Sequence, residues 1–478
     1  MKNILLGIVI ALVLVGIGWY AGSRTQNSGN IAVNNVSPTS TGTSTAQNAT
    51  TSSGGSGSNQ NTGAPTGNGT TSSGGSTSGN GTTSGSGTSH SGGSTVTPGN
   101  PCTGTPLGGS PVNVTAQMSQ VGTGVTVTQI TTTKSNWTTY SDMPTYSAAA
   151  HVLAFNTYGT TNSLSTANLD GTGAQIISGN QQGRDVAVSE DGKYAYYEGQ
   201  NPNQSSDMYA VALTGAGACQ PVRLSNLNLK PIPPEGSLII SNSSIDPATG
   251  RNVIAFSEGL VIHRVLDNGT ELPDVTLGDP ENMDVLHRMR LNPKFPNIMW
   301  YKRDQAGQNP NGVAQEEIWV VDLNHPGTVY SVAGPGVAAD HNTWSPDGTE
   351  IGYQVNGQWY AAKILNPDGT WALQNGGFAG GLIGPKVTYT YGASYCTFAP
   401  DGSVYVCTTG GAVHGIPVYL MSLDGTKVKL LADTDAKAAS FDGIPKAEFL
   451  DMQHVVFSSD RTGTPQVYVI SGFTTTFP

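Results

Sequence analysis

Five side chains of unlike chemistry occupy one position of a repeated pattern in this chain. Counting five residues back from the proline of "NTWSPDG", or from its equivalent in sibling stretches, gives Asp185, Asn242, Arg288, His341 and Tyr395. If the siblings are equivalent units arranged in a circle, these five are neighbours in a ring although they are far apart in sequence. An acid, an amide, a guanidinium, an imidazole and a phenol so placed can hydrogen-bond a sugar, a carboxylate or a peptide end. The plain alternative is a channel mouth that is merely wet and polar. His287 and Arg290 flank Arg288 in "LHRMRLNP", the strongest basic concentration in an acidic chain. Such a spot steers anions, and arginine grips carboxylates through paired hydrogen bonds.

Other polar clusters carry less. Asp274, Asp279, Glu281 and Asp284 of "LPDVTLGDPENMDV" could hold calcium, but they lack the one-apart rhythm of a calcium loop and read as a solvated acidic loop. Asp191, Asp347 and Asp401 are turn formers, and Trp344, Phe398 and Phe449, at matching positions, are expected in the core between units. After residue 100 the chain has no His-Glu-x-x-His, phosphate-binding Gly-x-x-x-x-Gly-Lys-Ser/Thr, Cys-x-x-Cys or Gly-x-Ser-x-Gly motif. No catalytic residue, metal or cofactor is assigned on these grounds.

The elements that must position the ring are short strands. "VAVSEDGKYAYYEG" with "DMYAVALTG", "NTWSPDGTEIGYQVNG" with "QWYAAKILNPDG", and "CTFAPDGSVYVCTTG" with "VYLMSLDG" repeat one plan: strand, Asp-Gly turn, aromatic strand, third strand. Looser copies bring the number to seven, with turn centres near 150, 191, 249, 295, 347, 401 and 451. That spacing is the length of a four-stranded propeller blade, and the alternation within "IGYQV" and "VYVIS" is the period of a strand. The expectation is an all-β, seven-bladed propeller, with six or eight blades as the alternatives. After the last "VYVI" only "SGFTTTFP" remains, while "GVTVTQITTT" at 124–133 resembles an outer blade strand without inner partners. The first strand of the domain is therefore expected to complete the last blade.

"WSPDG" (344–348), "FAPDG" (398–402) and "FSSDRTGTPQVYV" (457–469) resemble the repeats of TolB-type periplasmic propellers, over roughly residues 140–470. The resemblance implies mostly structural repeats that work through protein or ligand contacts outside the cytoplasm. "EIWVVDL" followed by "ADHNTWSPDGTEIGY" is similar to a segment of the oligogalacturonate lyases, propellers that hold a divalent metal over the channel with several histidines. There His341 occupies the place of a family histidine, and the resemblance would make His287 a proton-abstracting base beside Arg288. The departures are that "GIPKAEF" (443–449) replaces a His-Pro-His segment, "YKRDQAGQ" follows "NIMW" where histidines are expected, and His287 is one residue out of register. One histidine does not make a metal site.

In front of the propeller, residues 24–100 have no acidic residue and almost no hydrophobes, the composition of a disordered tether. As a flexible coil it would span on the order of 45–50 Å. "ILLGIVIALVLVGIGWYAG", Ile4 to Gly22, carries no charge. As a helix it would reach about 28 Å, with Lys2 before it and Trp19 and Tyr20 at its far end. Residues 1–23 are expected to anchor the chain in a membrane, the alternative being a signal sequence cleaved near Ala21-Gly22-Ser23. The domain is thus 101–478.

The formal net charge is −11, and every acidic residue lies after residue 100, which argues against nucleic acid or anionic lipid as partner. The 4 cysteines fit an oxidising compartment. In "CTFAPDGSVYVC" a two-residue Asp401-Gly402 turn sets Cys396 opposite Cys407, which leaves Cys102 and Cys219 to each other. Sequons stand at Asn48, Asn68, Asn80, Asn113, Asn136, Asn242 and Asn268. The functional expectation is a membrane-tethered, extracytoplasmic module that binds an envelope protein or a cell-wall or surface glycan. The alternatives are a polysaccharide lyase of the oligogalacturonate type and a structural surface or filament subunit.

Overall fold

The computed structural model describes residues 104–477, with 139–142, 159–161, 179–182, 201–205, 214–218, 227–238, 278–285, 306–314, 335–336, 375–376, 379, 383–394, 409–415 and 438–444 set aside. The expected anchor and tether, and Cys102, lie outside the described residues. Within them the chain forms seven antiparallel sheets of four or more strands, each one blade of a propeller. Blade 2 is typical: Gly183–Val188 is innermost, followed outward by Tyr194–Gln200, Ser206–Ala212 and Pro221–Arg223. Strands here are buried on both faces because each blade is wedged between two others. Leu153, Ala154 and Phe155 run consecutively at 0% exposure. No helix among the described residues is long and apolar enough to cross a membrane.

The ring closes as the ends of the domain predict. Thr126–Gln129 pairs antiparallel with Gln466–Ser471, matching Val127 with Ile470 and Thr128 with Val469. The N-terminal segment does more than supply this one strand. Thr105–Pro106 becomes the outer edge of blade 1, and Val112–Asn113 adds a fifth strand to blade 7. A short stretch of chain thus covers the open edges of two adjacent blades. Buried Gln466 fastens the crossing from blade 7 to blade 1: its Oε1 accepts Thr131 Oγ1–H at 2.7 Å, and its Nε2 donates to the Lys134 carbonyl at 2.7 Å.

The hairpin of the "CTFAPDGSVYVC" stretch departs from the two-residue turn expected. Gly402 N–H donates to Ala399 O and Ala399 N–H to Val404 O, so the loop holds Pro400, Asp401, Gly402 and Ser403. Gly402 takes the left-handed conformation, φ 72°, that a side chain would resist. Widening the loop by one residue on each side leaves the register unchanged. Cys396 still faces Cys407, Cα to Cα 4.1 Å, and the two are joined as a disulfide. Cys219 is also disulfide-bonded.

Serine strengthens the same loop elsewhere. Ser345 Oγ donates to Asp347 Oδ1 at 2.6 Å and accepts Glu350 N–H at 2.9 Å, while Thr349 N–H donates to the same carboxylate at 3.0 Å. Ser189 with Asp191, and Ser422 with Asp424, repeat the arrangement. At Asp347 burial would raise the carboxyl pKa, but these donors outweigh it and hold it low. The hydrogen bond from Ser422, then those from Thr426, bring Asp424 down to about 2.

Two outcomes follow. Thr128→Pro removes a ladder donor from the closing strand and should cost on the order of 2–4 kcal/mol. Thr123→Pro, in the preceding turn, should be tolerated, and urea unfolding of the two variants checks the contrast. Carboxyls whose folded pKa is depressed add stability that is complete above their unfolded value, about 3.9, and is lost as pH falls through the folded value. Thermal melts between pH 5 and pH 2 should therefore fall steeply, and less so in Asp424→Asn.

Candidate functional site

All six residues expected at the channel mouth lie on innermost strands: Asp185, Asn242, His287, Arg288, His341 and Tyr395. The side chains of Asp185 and His287 are outside the description. In four blades the inner strand carries a register shift at this level, between Arg184 and Ala187, Ile240 and Ser243, Leu286 and Arg288, and Asp340 and Thr343. A bulge adds one residue and re-aims the side chains beside it. His287 and His341 both fall within these shifts, and His341 has φ 48°. Strict alternation of side chains from the hairpin therefore does not hold at this level.

His341 is engaged on every side. Its Nδ1 is 2.9 Å from Gln354 Oε1, its Nε2 3.1 Å from Asp340 Oδ2, and its ring centroid 3.8 Å from that of Tyr395 in the next blade. Asp340 also receives the ammonium of Lys302, which is 2% exposed. Both ring nitrogens of His341 thus face side-chain oxygens. Among the described residues no group of three or more His, Cys, Asp or Glu is placed to hold a metal ion.

A space lined wholly by described residues opens at the other end of the channel, among the hairpins. It is a cavity of about 180 Å³ to which all seven blades contribute. Of the six expected residues only Asn242 lines it. Two residues before each inner hairpin opens, blades 3 to 6 present Ser244, Arg290, Thr343 and Thr397 at one level. Glu448 of blade 7 continues the level and binds blade 1, accepting Thr145 N–H at 3.2 Å and Thr145 Oγ1–H at 3.0 Å. Arg290 is 5% exposed, donates to the carbonyls of Ile240 and Met289 at 2.9 and 2.6 Å, and lies 5.7 Å from the centre of the Trp300 ring.

The cavity is two-sided. Trp344, Phe398 and Phe449 of blades 5 to 7 form an aromatic wall, and Glu190, Asn242 and Arg290 of blades 2 to 4 a polar one. The three aromatics are core residues as expected, each under 9% exposed, and their edges also face this space. Glu190 is the solvent-exposed member of the polar wall; partial desolvation by its neighbours raises its pKa, against the pull of Lys294. Trp300 Nε1 and Thr397 Oγ1 are buried without a hydrogen-bond partner. Neither Glu448 nor Lys446, two residues earlier and 2% exposed with its ammonium 5.4 Å from the Trp137 ring, was picked out from sequence. Blade 7 lacks the Pro-Asp-Gly turn from which the count was made. Counting back from Phe449, which matches Trp344 and Phe398, would have reached both.

Two sequons lie in the core: Asn136 is 0% and Asn242 8% exposed, whereas Asn113 and Asn268 face solvent.

No protein-family model and no curated protein matches the chain. Among solved structures it is similar to an oligogalacturonate lyase in complex with manganese, at 13% identity and a TM-score of 0.54, covering 78% of this chain and 98% of that one. TolB from Acinetobacter baumannii matches at 12% identity and 0.33, covering 74% and 65%. A putative TolB from Agrobacterium tumefaciens matches at 15% and 0.37, covering 76% and 96%. The likeness to the lyase is one of fold, a shared β-propeller.

Glu448→Ala should strand both donors of Thr145 in the core and cost about 2–4 kcal/mol. Glu448→Gln, which keeps one acceptor, should lose less than half of that. Denaturant midpoints of the two variants check the order.

Proposed function

We propose that this chain is a membrane-tethered, extracytoplasmic propeller that acts as a binding module at the cell envelope, with a protein or a glycan as its partner. The observation that carries the binding role is the channel: buried charged and hydrogen-bonding groups from blades 3 to 7 stand beside aromatic edges around one small space. A propeller needs no such groups to close, and burying them costs free energy that apolar residues would not. The anchor and tether rest on sequence, namely the uncharged run Ile4 to Gly22 and the tract 24–100. A ring on such a leash samples tens of ångströms from the membrane, which suits capture of a partner fixed nearby.

The test is cellular and biochemical together. The full chain should stay with membranes through an alkaline carbonate wash, and protease added outside intact cells should release the propeller. The purified chain should co-sediment with cell-wall glycan or retain an envelope protein, more weakly after Arg290→Gln. A chain that remains protected inside the cell, or that binds neither class, sinks the reading.

The fold likeness to the manganese-bound lyase favours a second reading, a polysaccharide lyase. Incubation with manganese and oligogalacturonate, following absorbance of an unsaturated product, tests it. Product formation lost in His341→Ala would replace the binding module with the enzyme. On the filament-subunit reading a broad apolar face is expected; among the described residues the exposed large hydrophobics are Val112, Val222, Leu423 and Val428, on blades 7, 2 and 6.

A further inference from the structure

Of the residues lining the cavity at the hairpin end of the channel, Glu190, Pro144, Pro293 and Pro346 reach solvent and the rest are buried, so the space opens on the hairpin face. Its buried charges are already provided for. Arg290 donates to the carbonyls of Ile240 and Met289, and both Glu448 oxygens accept from Thr145, so neither asks a ligand for a counter-charge. What is left unmatched is neutral. Trp300 is wholly buried without an acceptor for its indole N–H, and Thr397, 5% exposed, has no partner for Oγ1. Asn242 accepts Ser241 Oγ–H at 2.9 Å through Oδ1, while its amide N–H groups have no partner among the described residues. All three residues line the cavity. Buried polar groups without partners mark a place where something else completes the hydrogen bonding.

The size of the space and its opposite wall narrow the choice of ligand. About 180 Å³ is little more than the roughly 150 Å³ of an apolar cavity that holds one benzene, so the space takes a single six-membered ring. An indole N–H can only donate, so that ring must carry acceptors where it meets Trp300. Trp344, Phe398 and Phe449 offer aromatic surface to its other side. A hydrocarbon ring would bury the three polar groups unmatched, at a cost in free energy. An anionic ring would have to pass the Glu190 carboxylate at the opening and would find the Arg290 guanidinium already engaged. A neutral hexopyranose meets both walls, with C–H groups on one face for the aromatics and hydroxyls on its rim that accept as well as donate. Because the space holds one ring, a polymer enters it only by an end.

Deepening the binding-module reading on which it rests, we infer that the hairpin end of the channel is a site for the terminal neutral hexose of a glycan. Sugar oxygens accept from Trp300 Nε1–H and Asn242 Nδ2–H, a hydroxyl pairs with Thr397 Oγ1, and the C–H face lies on Trp344, Phe398 and Phe449. The rest of the glycan leaves past Glu190.

The test titrates the detergent-solubilised full chain with methyl glucoside, methyl galactoside and methyl mannoside, and with galacturonate and cyclohexylmethanol as anionic and hydroxyl-poor controls, followed by calorimetry and tryptophan fluorescence. At least one neutral glycoside should saturate with a Kd on the order of 1 mM, the scale for a ligand of this size, and each control should bind at least about tenfold more weakly. Thr397→Val exchanges an unpartnered buried hydroxyl for a methyl group, so it should not lower the melting temperature, yet it should weaken the glycoside about 3- to 10-fold. A purely structural threonine would not separate the two readouts. No saturation by any of the three glycosides, equal binding of galacturonate or cyclohexylmethanol, or an unchanged affinity in Thr397→Val overturns the inference. A chain that binds a glycoside but fails the membrane and envelope assays sinks the tethered-module reading alone. One that retains an envelope protein and binds no glycoside sinks only this site.

Discussion

The pairing of Thr126–Gln129 with Gln466–Ser471 is the contact on which the rest depends. Seven sheets standing side by side do not form a ring unless something joins the last to the first. In this chain the join is a strand ladder between segments more than 300 residues apart, reinforced where Thr131 and Gln466 meet and where Thr138 meets Ser458. Long-range closure is costly in chain entropy and is formed late if at all without strong local elements. The local elements are supplied by the hairpins, whose Ser and Asp side chains satisfy the loop amides within each blade.

Closure fixes the channel. Because the blades are wedges, their inner strands converge, and side chains at one level of the repeat face each other across a narrow space whatever their separation in sequence. The same hairpins stitch neighbours together: Glu190 N–H donates to Ser243 Oγ, Leu291 N–H to Ser241 Oγ, and Asn292 Nδ2 to Gly348 O. Gly348 has φ 73°, and a Cβ there would lie 2.3 Å from Asn292 Oδ1, so the absence of a side chain lets blades 4 and 5 approach. The groups at the hairpin end of the channel are thus held by rigid neighbours rather than by loops.

That rigidity sits beside an energetic burden. Arg290, Lys302, Lys446 and Glu448 are each under 9% exposed, and charges withdrawn from water must be repaid by partners. Part of the repayment is visible in the carbonyls around Arg290, the hydroxyl and amide of Thr145 on Glu448, and Asp340 beside Lys302. Trp300 Nε1 and Thr397 Oγ1 stand outside it, buried without a hydrogen-bond partner.

The sequence alone determined the blade count, the ring closure and the Cys396 to Cys407 pairing, because each depends on local periodicity, turn chemistry or counting. The back-count to Asn242, Arg288, His341 and Tyr395 lands on innermost strands, since equivalent repeats run through equivalent strands. What only the tertiary structure decided is where the inner strands bulge and where space remains. Bulges at His287 and His341 depend on how an inner strand fits a curved neighbour, which leaves no mark in composition. The second role of the N-terminal segment, as an edge of blade 1 through Thr105–Pro106, was hidden because two residues carry no period. Glu448 and Lys446 were missed because blade 7 keeps the register while lacking the turn motif that announces it. The cavity lies at the hairpin end because it is a difference between side-chain volumes contributed by seven distant strands, and no single stretch of sequence encodes a difference.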